Sequence, residues 1–342
     1  MALLRSFWHG GPLSPYEVLC LTSFLHHGHA VELFTYDPAI RAPDGVVRRD
    51  AAEILPDTPV FAYATGLGRG SFAAFSNLFR YRLMQREPGW WVDADVLCLS
   101  PTLPEAASFF AWEAPDQALV GTAVMRLGPG DPLTERLLAA QDAFQPDQPW
   151  ASGGPQLVTA AVRATGRTAQ DWRICYPWHF SRAFDVFDPA ATPAVEAAVQ
   201  GAQMQHLWHE MFRCGGLPKH LRPPPGSYLD GVCRRHGVVF PEGPPLVAED
   251  VRRSARVVDL AYATQSAEAA RNAAEAGRAV AEALVQQLQA ACDAAHAAAR
   301  QWREALEQEA QMRAALVTVN AALAARLEQA ERPLWRRWRR PD

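Results

Sequence analysis

Residues 71–99 read SFAAFSNLFRYRLMQREPGWWVDADVLCL, and this stretch decides the fold. Ser71 opens a helix with apolar positions at Phe72, Phe75, Phe79 and Leu83, spaced as one helix face requires. Pro88-Gly89 ends it. Trp90–Leu97 follows as a strand, apolar but for Asp93 and Asp95. Residues two apart on a strand share a face, so both carboxylates can approach one cation. Hard divalent ions take oxygen ligands and keep positions open for phosphate oxygens. In open α/β sheets, ligands bind at the carboxyl ends of strands. Such a pair can also merely face solvent or cap a turn. The apolar run before it argues for more, because a buried carboxylate needs an ion or a basic partner. Arg80 and Arg82 are the nearest in sequence. Val96-Leu97 after the pair does not fit the phosphatase use of Asp-x-Asp, which continues with Gly-Thr or similar.

Outward from this block, the chain alternates strands and helices. Ala2–Trp8 is a short apolar strand. Ser14-Pro15-Tyr16-Glu17 is a capping box with Pro at the first helical position, and its helix ends near Gly28. Ala30–Tyr36 reads as a second strand, which implies a parallel pair joined by a crossover helix. Leu119–Leu127 reads as a further strand; Pro132–Phe144 and Gln156–Ala164 read as helices. Gly66-Leu67-Gly68-Arg69-Gly70 lacks the spacing of either common phosphate-binding loop.

Composition divides the 342 residues in two. Residues 1–250 hold 25 of the 27 prolines and a net charge of −7; residues 251–342 carry +3. Residues 261–331 contain 27 Ala, one Gly and no Pro, which specifies one long helix. A seven-residue grid runs through Leu288, Ala295, Trp302, Leu316 and Leu323, interrupted by Glu309. A second seam runs Leu284, Cys292, Leu306 and Leu327. The pattern suits an Ala-dominated coiled coil, and so a homo-oligomer formed through this helix. It equally suits a long helix lying on the globular part. The end, Leu334-Trp335-Arg336-Arg337-Trp338-Arg339-Arg340, suits either peripheral contact with an anionic membrane or a frayed basic tail. The boundaries read from sequence are 1–248 for the globular domain, 249–259 for a linker, 260–332 for the helix and 333–342 for the basic tail.

No apolar run reaches the ~18 residues of a membrane helix, and the mild charge of −4 excludes nucleic acid as the expected partner. Six scattered cysteines form no Cys-x-x-Cys pair, which fits reduced thiols. The opening Met1-Ala2-Leu3-Leu4-Arg5 has no signal-peptide character, so a cytoplasmic site is expected, peripheral at the inner membrane face if the tail binds lipid. One Lys (Lys219) against 32 Arg, with abundant Ala, points to a GC-rich bacterial genome and to polysaccharide biosynthesis as the setting.

The 71–99 block also carries a resemblance. Ser76-Asn77-Leu78-Phe79-Arg80-Tyr81, then Pro88-Gly89-Trp90-Trp91-Val92-Asp93-Ala94-Asp95, is similar to Ser-Asp-x-x-Arg-Tyr…Gly-Gly-x-Tyr-x-Asp-x-Asp. That is the pattern of the glycosyltransferases with the Asp-x-Asp sugar-nucleotide motif: fungal α-1,6-mannosyltransferases, animal α-1,4-galactosyltransferases and, more distantly, the glucosyltransferase domain of the large clostridial toxins. Phe7-Trp8-His9-Gly10, Ser152-Gly153-Gly154-Pro155 and His206-Leu207-Trp208-His209-Glu210 resemble outlying elements of the family. The resemblance covers residues 2 to about 240.

The resemblance implies an α/β fold of the GT-A type with a mixed central sheet. It implies a metal-dependent hexosyltransferase, retaining in stereochemistry, that uses Mn²⁺ or Mg²⁺. The donor would be a UDP- or GDP-hexose and the acceptor a hydroxyl of a glycan, lipid or protein. Asp93 and Asp95 would hold the ion, with His206 as third ligand. Arg80 would contact the donor or position the carboxylates. Trp8 would lie against the base, Trp208 would donate its indole N–H to a phosphate oxygen, and Asn77, Tyr81, Trp91 and Thr122 would complete the donor site. Two positions depart from the family: Asn77 stands where Asp is usual, and Gly121-Thr122 where relatives carry Asn-Asn or Asn-Ser. These departures keep a second reading open, a catalytically weak sugar-nucleotide or glycan-binding module whose coiled coil is a scaffold. Glu113 and Asp116, beyond the metal strand, read as sugar or acceptor contacts or, somewhat better, as solvated loop charges.

Overall fold

The computed structural model describes residues 1–56 and 58–331. The basic tail therefore lies outside the described residues. The chain divides into two units, Met1–Ser266 and a second that begins at Ala267.

In the first unit, β1 (Leu3–Phe7), α1 (Pro15–His26) and β2 (Ala30–Thr35) form the expected parallel crossover pair, with Leu3 opposite Ala30 and Phe7 opposite Phe34. Ser14 caps α1 as a complete capping box with Glu17. β3 (Val47–Asp50) joins β2 in parallel, and α2 (Ala73–Arg86) leads into β4 (Trp90–Val92). The central sheet runs β3-β2-β1-β4-β6, mostly parallel, with β6 (Val124–Met125) antiparallel at one edge.

Strand alternation sorts the core onto two faces of this sheet. Leu4, Leu33, Val92 and Val124 enter one cluster, with α1. Phe7, Phe34, Trp91 and Met125 enter the other, with α2, α3 (Pro132–Gln141) and α4 (Pro155–Ala164). A ribbon of β5 (Val96–Cys98) and β7 (Met204–His206) pairs antiparallel, Val96 opposite His206. After α5 (Thr192–Val199) and β7 come α6 (His209–Cys214) and α7 (Tyr228–Arg235).

Three expectations change. The strand read over Trp90–Leu97 is two strands in two sheets, with Asp93–Asp95 as the turn between them; Val96 N–H bonds back to Asp93 O at 3.1 Å. The strand read over Leu119–Leu127 keeps regular pairing only at Val124–Met125, and its start forms an irregular hairpin with residues 111–113. Residues 249–259, read as a linker, are the opening turns of α8 (Ala248–Ala330). Val251, Ser254 and Val258 are three and four residues apart and all buried, a helical stripe hidden in a charged sequence. Tyr262 continues it, stacking on Phe180 with ring centroids 5.6 Å apart.

The second unit is the rest of α8. Its described side chains are exposed throughout, apart from the half-buried Ala297. Among the described residues no helix is long and apolar enough to cross a membrane.

Candidate functional site

The turn between β4 and β5 places Asp93 and Asp95 where the two sheets diverge, and β7 brings His206 to them. One ligand atom from each residue lies within 4.8 Å of the others. Among the described residues this is the only such group of three His, Cys, Asp or Glu side chains.

Each carboxylate has its own brace. Asp93 Oδ1 accepts from Arg80 Nη2 at 2.9 Å and from Trp91 Nε1 at 2.7 Å. Arg80, 2% exposed on α2, also donates to Thr122 O, while its guanidinium lies 4.9 Å from the Trp91 ring centroid. Arg80 thus braces the Asp93 carboxylate from α2. Asp95 Oδ2 meets His206 Nε2 at 3.1 Å and accepts from His209 N–H at 2.9 Å, while Asp95 O accepts from Leu207 N–H at 2.9 Å. These three contacts require the chain to turn sharply, and Trp208 supplies the turn with a left-handed backbone, φ 59° and ψ 45°. A bulky residue in that conformation is strained, and strain of this kind is retained at functional sites. No hydrogen bond among the described residues reaches Asp93 Oδ2 or Asp95 Oδ1.

The electrostatics follow from these braces. Burial pushes the Asp93 carboxyl above its usual range; Arg80 opposes this and Asp95 adds to it. With 25% of its side chain exposed, Asp93 keeps part of its solvent screening. Burial works the same way on Asp95, but His206 and His209 outweigh it and hold that carboxyl below the usual range. Burial would lower His206, yet Asp95 and Asp93 carry it above the ordinary imidazole value. His206 Nδ1 is buried without a hydrogen-bond partner. Two carboxylates, two free carboxylate oxygens and an imidazole with an orphaned nitrogen fit a divalent cation.

Behind Asp95 lies a cluster that the sequence did not reveal. Glu17, 1% exposed, accepts from Ser14 N–H at 2.8 Å, meets His209 Nδ1 at 2.7 Å and pairs with Lys219 Nζ. Burial opposes its charge, but His209 and Lys219 bring its carboxyl down to about 2. The capping box already accounted for Glu17, and its partners lie about 200 residues away in sequence, so no local pattern announced the cluster. Lys219 Nζ also sits 5.5 Å from the centroid of the Trp8 ring.

The other expected residues are placed as follows. Trp8 is half-buried and donates its indole N–H to Gly11 O at 2.7 Å. Trp208 donates its indole N–H to Trp178 O at 2.7 Å, which commits the group expected on a phosphate; its ring packs 4.0 Å from that of His206. Tyr81 is fully buried and donates to Gly153 O at 3.2 Å. Asn77 is buried against Gly154, where an added Cβ would come within 2.9 Å of its amide. Trp91 and Thr122 serve Asp93, one directly and one through Arg80. Of these residues Trp8 is half-buried and the others are buried.

No protein-family model matches the chain, and no curated protein does. Among solved structures, the chain is similar to the PaToxG glycosyltransferase at 13% identity, over 75% of this chain and 86% of that one, with a TM-score of 0.38. It is similar also to the apo form of the glycosyltransferase GlyE of Streptococcus pneumoniae TIGR4 at 8% identity, over 77% of this chain and 63% of that one, with a TM-score of 0.35. The chain thus spans a little under two thirds of GlyE.

Proposed function

We propose that the chain is a metal-dependent glycosyltransferase. It moves a hexose from a UDP- or GDP-sugar to a hydroxyl of a glycan, lipid or protein. The observation that carries this reading is the convergence of Asp93, Asp95 and His206, each braced from behind and with carboxylate oxygens left over. These three would hold Mn²⁺ or Mg²⁺; the imidazole in the set favours Mn²⁺ of the two. Bound there, the ion would act as Lewis acid and template for the leaving diphosphate.

The chain's own residues do the rest. Arg80 and Trp91 fix one oxygen of Asp93, so its rotamer is set before any ligand arrives. Glu17 fixes His209, whose N–H fixes Asp95. The Trp8 face takes the nucleotide base, with Lys219 beside it supplying a positive charge near the phosphates. Holding donor and acceptor in attack geometry is the protein's main contribution to the rate. Retention of configuration is what the resemblance to the Asp-x-Asp transferases implies.

The experiment is calorimetric titration of UDP and of GDP into the full chain, with Mn²⁺ and then with EDTA. One nucleotide is expected to bind only with metal, and Asp93→Asn with Asp95→Asn to weaken it at least ~100-fold, as loss of liganding carboxylates does. Metal-independent binding, or binding unchanged in the double variant, overturns the reading.

The exposed apolar seam of α8 favours a second reading, a weakly catalytic sugar-nucleotide or glycan-binding module assembled through that helix. Leu288, Trp302, Leu316 and Leu323 are each more than half exposed there. A monomeric mass in sedimentation, together with donor turnover at an ordinary enzyme rate, would sink it.

A further inference from the structure

Among the described residues of the first unit, two carboxylates are buried, Glu17 and Glu113, and others are half-buried around them. Glu17 has His209 and Lys219, Asp93 has Arg80, Asp95 has His206, and Glu210 has Ser71 and Arg213. Glu113 is 8% exposed, and among the described residues no hydrogen bond or ion pair reaches its carboxyl. Its neighbour Asp116 is the solvated loop charge the sequence suggests, exposed and capping Ala118 N–H at 3.0 Å. Glu113 is not.

Its place in the fold is well defined. Gly121 N–H bonds to Ala111 O and Glu113 N–H to Leu119 O, both at 2.9 Å, so residues 111–121 form a hairpin arm. The return strand of that arm runs directly along the metal turn: Thr122 O accepts from Arg80, and Ala123 O accepts from Asp93 N–H at 2.8 Å. Glu113 stands one pairing step up the outgoing strand. Its charge is felt by His206, by Tyr176, whose ring packs edge-on to His206 at 5.9 Å, and by Tyr262 of α8. Burial pushes its carboxyl up to about 7, against the pull of His206 and with a further push from Asp116.

The Glu113 side chain is buried, yet its carboxylate oxygens are not among the solvent-excluded atoms left without a partner, so an opening leads to them. A carboxyl enclosed by the fold and reached through such an opening is placed to meet a ligand. A phosphate would be repelled by the carboxylate, and Glu113 is not among the side chains that gather at the candidate cation site. A polyol remains: its hydroxyls donate, and a carboxylate offers two oxygens that accept.

We propose that Glu113 is a sugar-contacting residue, whose carboxyl accepts hydrogen bonds from hydroxyls of the hexose carried by the nucleotide, on the His206 side of the site. The inference rests on the glycosyltransferase reading and adds a specificity-determining residue to it.

The test compares affinities of the full chain, in Mn²⁺, for UDP against UDP-glucose and for GDP against GDP-mannose. Wild type, Glu113→Gln and Glu113→Leu are each titrated. Glu113→Leu removes the acceptor oxygens and its thermal melting checks that the fold is kept; Glu113→Gln keeps the shape. The expected result is bare-nucleotide affinity within about twofold of wild type in both variants, with the ratio of sugar-nucleotide to nucleotide affinity lowered about tenfold in Glu113→Leu and less in Glu113→Gln, the worth of one hydrogen bond to a charged group. An unchanged ratio in Glu113→Leu overturns the proposal. So does equal weakening toward nucleotide and sugar nucleotide, which is the mark of a structural role. If wild type binds neither nucleotide, the glycosyltransferase reading falls first and takes this one with it.

Discussion

The two units of the chain spend charge in opposite ways. In Met1–Ser266, ionised groups are gathered inside and made to hold one another: Glu17 with His209 and Lys219, Asp93 with Arg80, Asp95 with His206. In the described residues after Ala267, the ion pairs are Arg271–Glu275, Arg278–Glu282 and Arg313–Glu309, each four residues apart on one helix and each more than half exposed. Exposed pairs of that spacing contribute about 0.3–0.5 kcal/mol each. The first unit is specified by burial and by contacts distant in sequence. The second is specified residue by residue, by alanine propensity and local pairs. The difference explains why the candidate site is found in the first unit: preorganised charge needs surroundings that exclude water.

Glu17→Gln is expected to strike the comparison hardest. It strips the carboxylate from a buried cluster and leaves Lys219 and His209 uncompensated, at a cost of about 4 kcal/mol in chemical denaturation. Acid should reproduce part of this loss in the wild type. The carboxyl has an ordinary value of 4.5 and is held at about 2 in the fold. Its contribution is therefore complete above pH 4.5 and disappears as pH falls through 2. Glu17→Gln should lack that acid limb, and an unchanged limb would mean the cluster is not where the first unit stores its stability.

Ala298→Pro tests the other side. A proline in a helix interior costs about 3 kcal/mol, and in the second unit the loss should stay local. Helical ellipticity should fall while metal-dependent nucleotide binding is unchanged. A fall in nucleotide affinity would break the contrast between the units. Glu309→Ala is the smallest step. It removes the charge that interrupts the apolar grid together with its bond to Arg313 at 2.8 Å, so the helix should change by about 0.3–0.5 kcal/mol in thermal melting. A gain of several degrees that grows with protein concentration would sharpen the picture differently, showing the grid in use between copies.

The sequence was legible where local rules act alone. Ser14 with Glu17 announced α1, two apolar runs announced the parallel pair, and the Ala-rich tract announced α8. It misled where tertiary structure divides what looks continuous. Trp90–Leu97 has one apolar character but serves two sheets, and the turn takes Asp93, Ala94 and Asp95 out of both strands. The charges of residues 249–253 masked Val251 and Ser254, which the helix buries. In the site, Asp93 and Asp95 stood out because acids interrupt an apolar run. Glu113 and Asp116 read alike, because nothing in residues 111–121 says which of two acids the hairpin buries. His209 and Lys219 meet Glu17 only through the fold, so no spacing could have joined them.

Lys219 is the only lysine in the chain, and its amine lies against Glu17 and Trp8. Reagents that acylate amines therefore find one side chain to modify, and it stands beside the cluster that supports Asp95. An amine-reactive sensor surface that captures this side chain would tether the molecule through that cluster and disturb what it reports. Coupling through the exposed thiol of Cys292, on the helix of the second unit, leaves the cluster untouched.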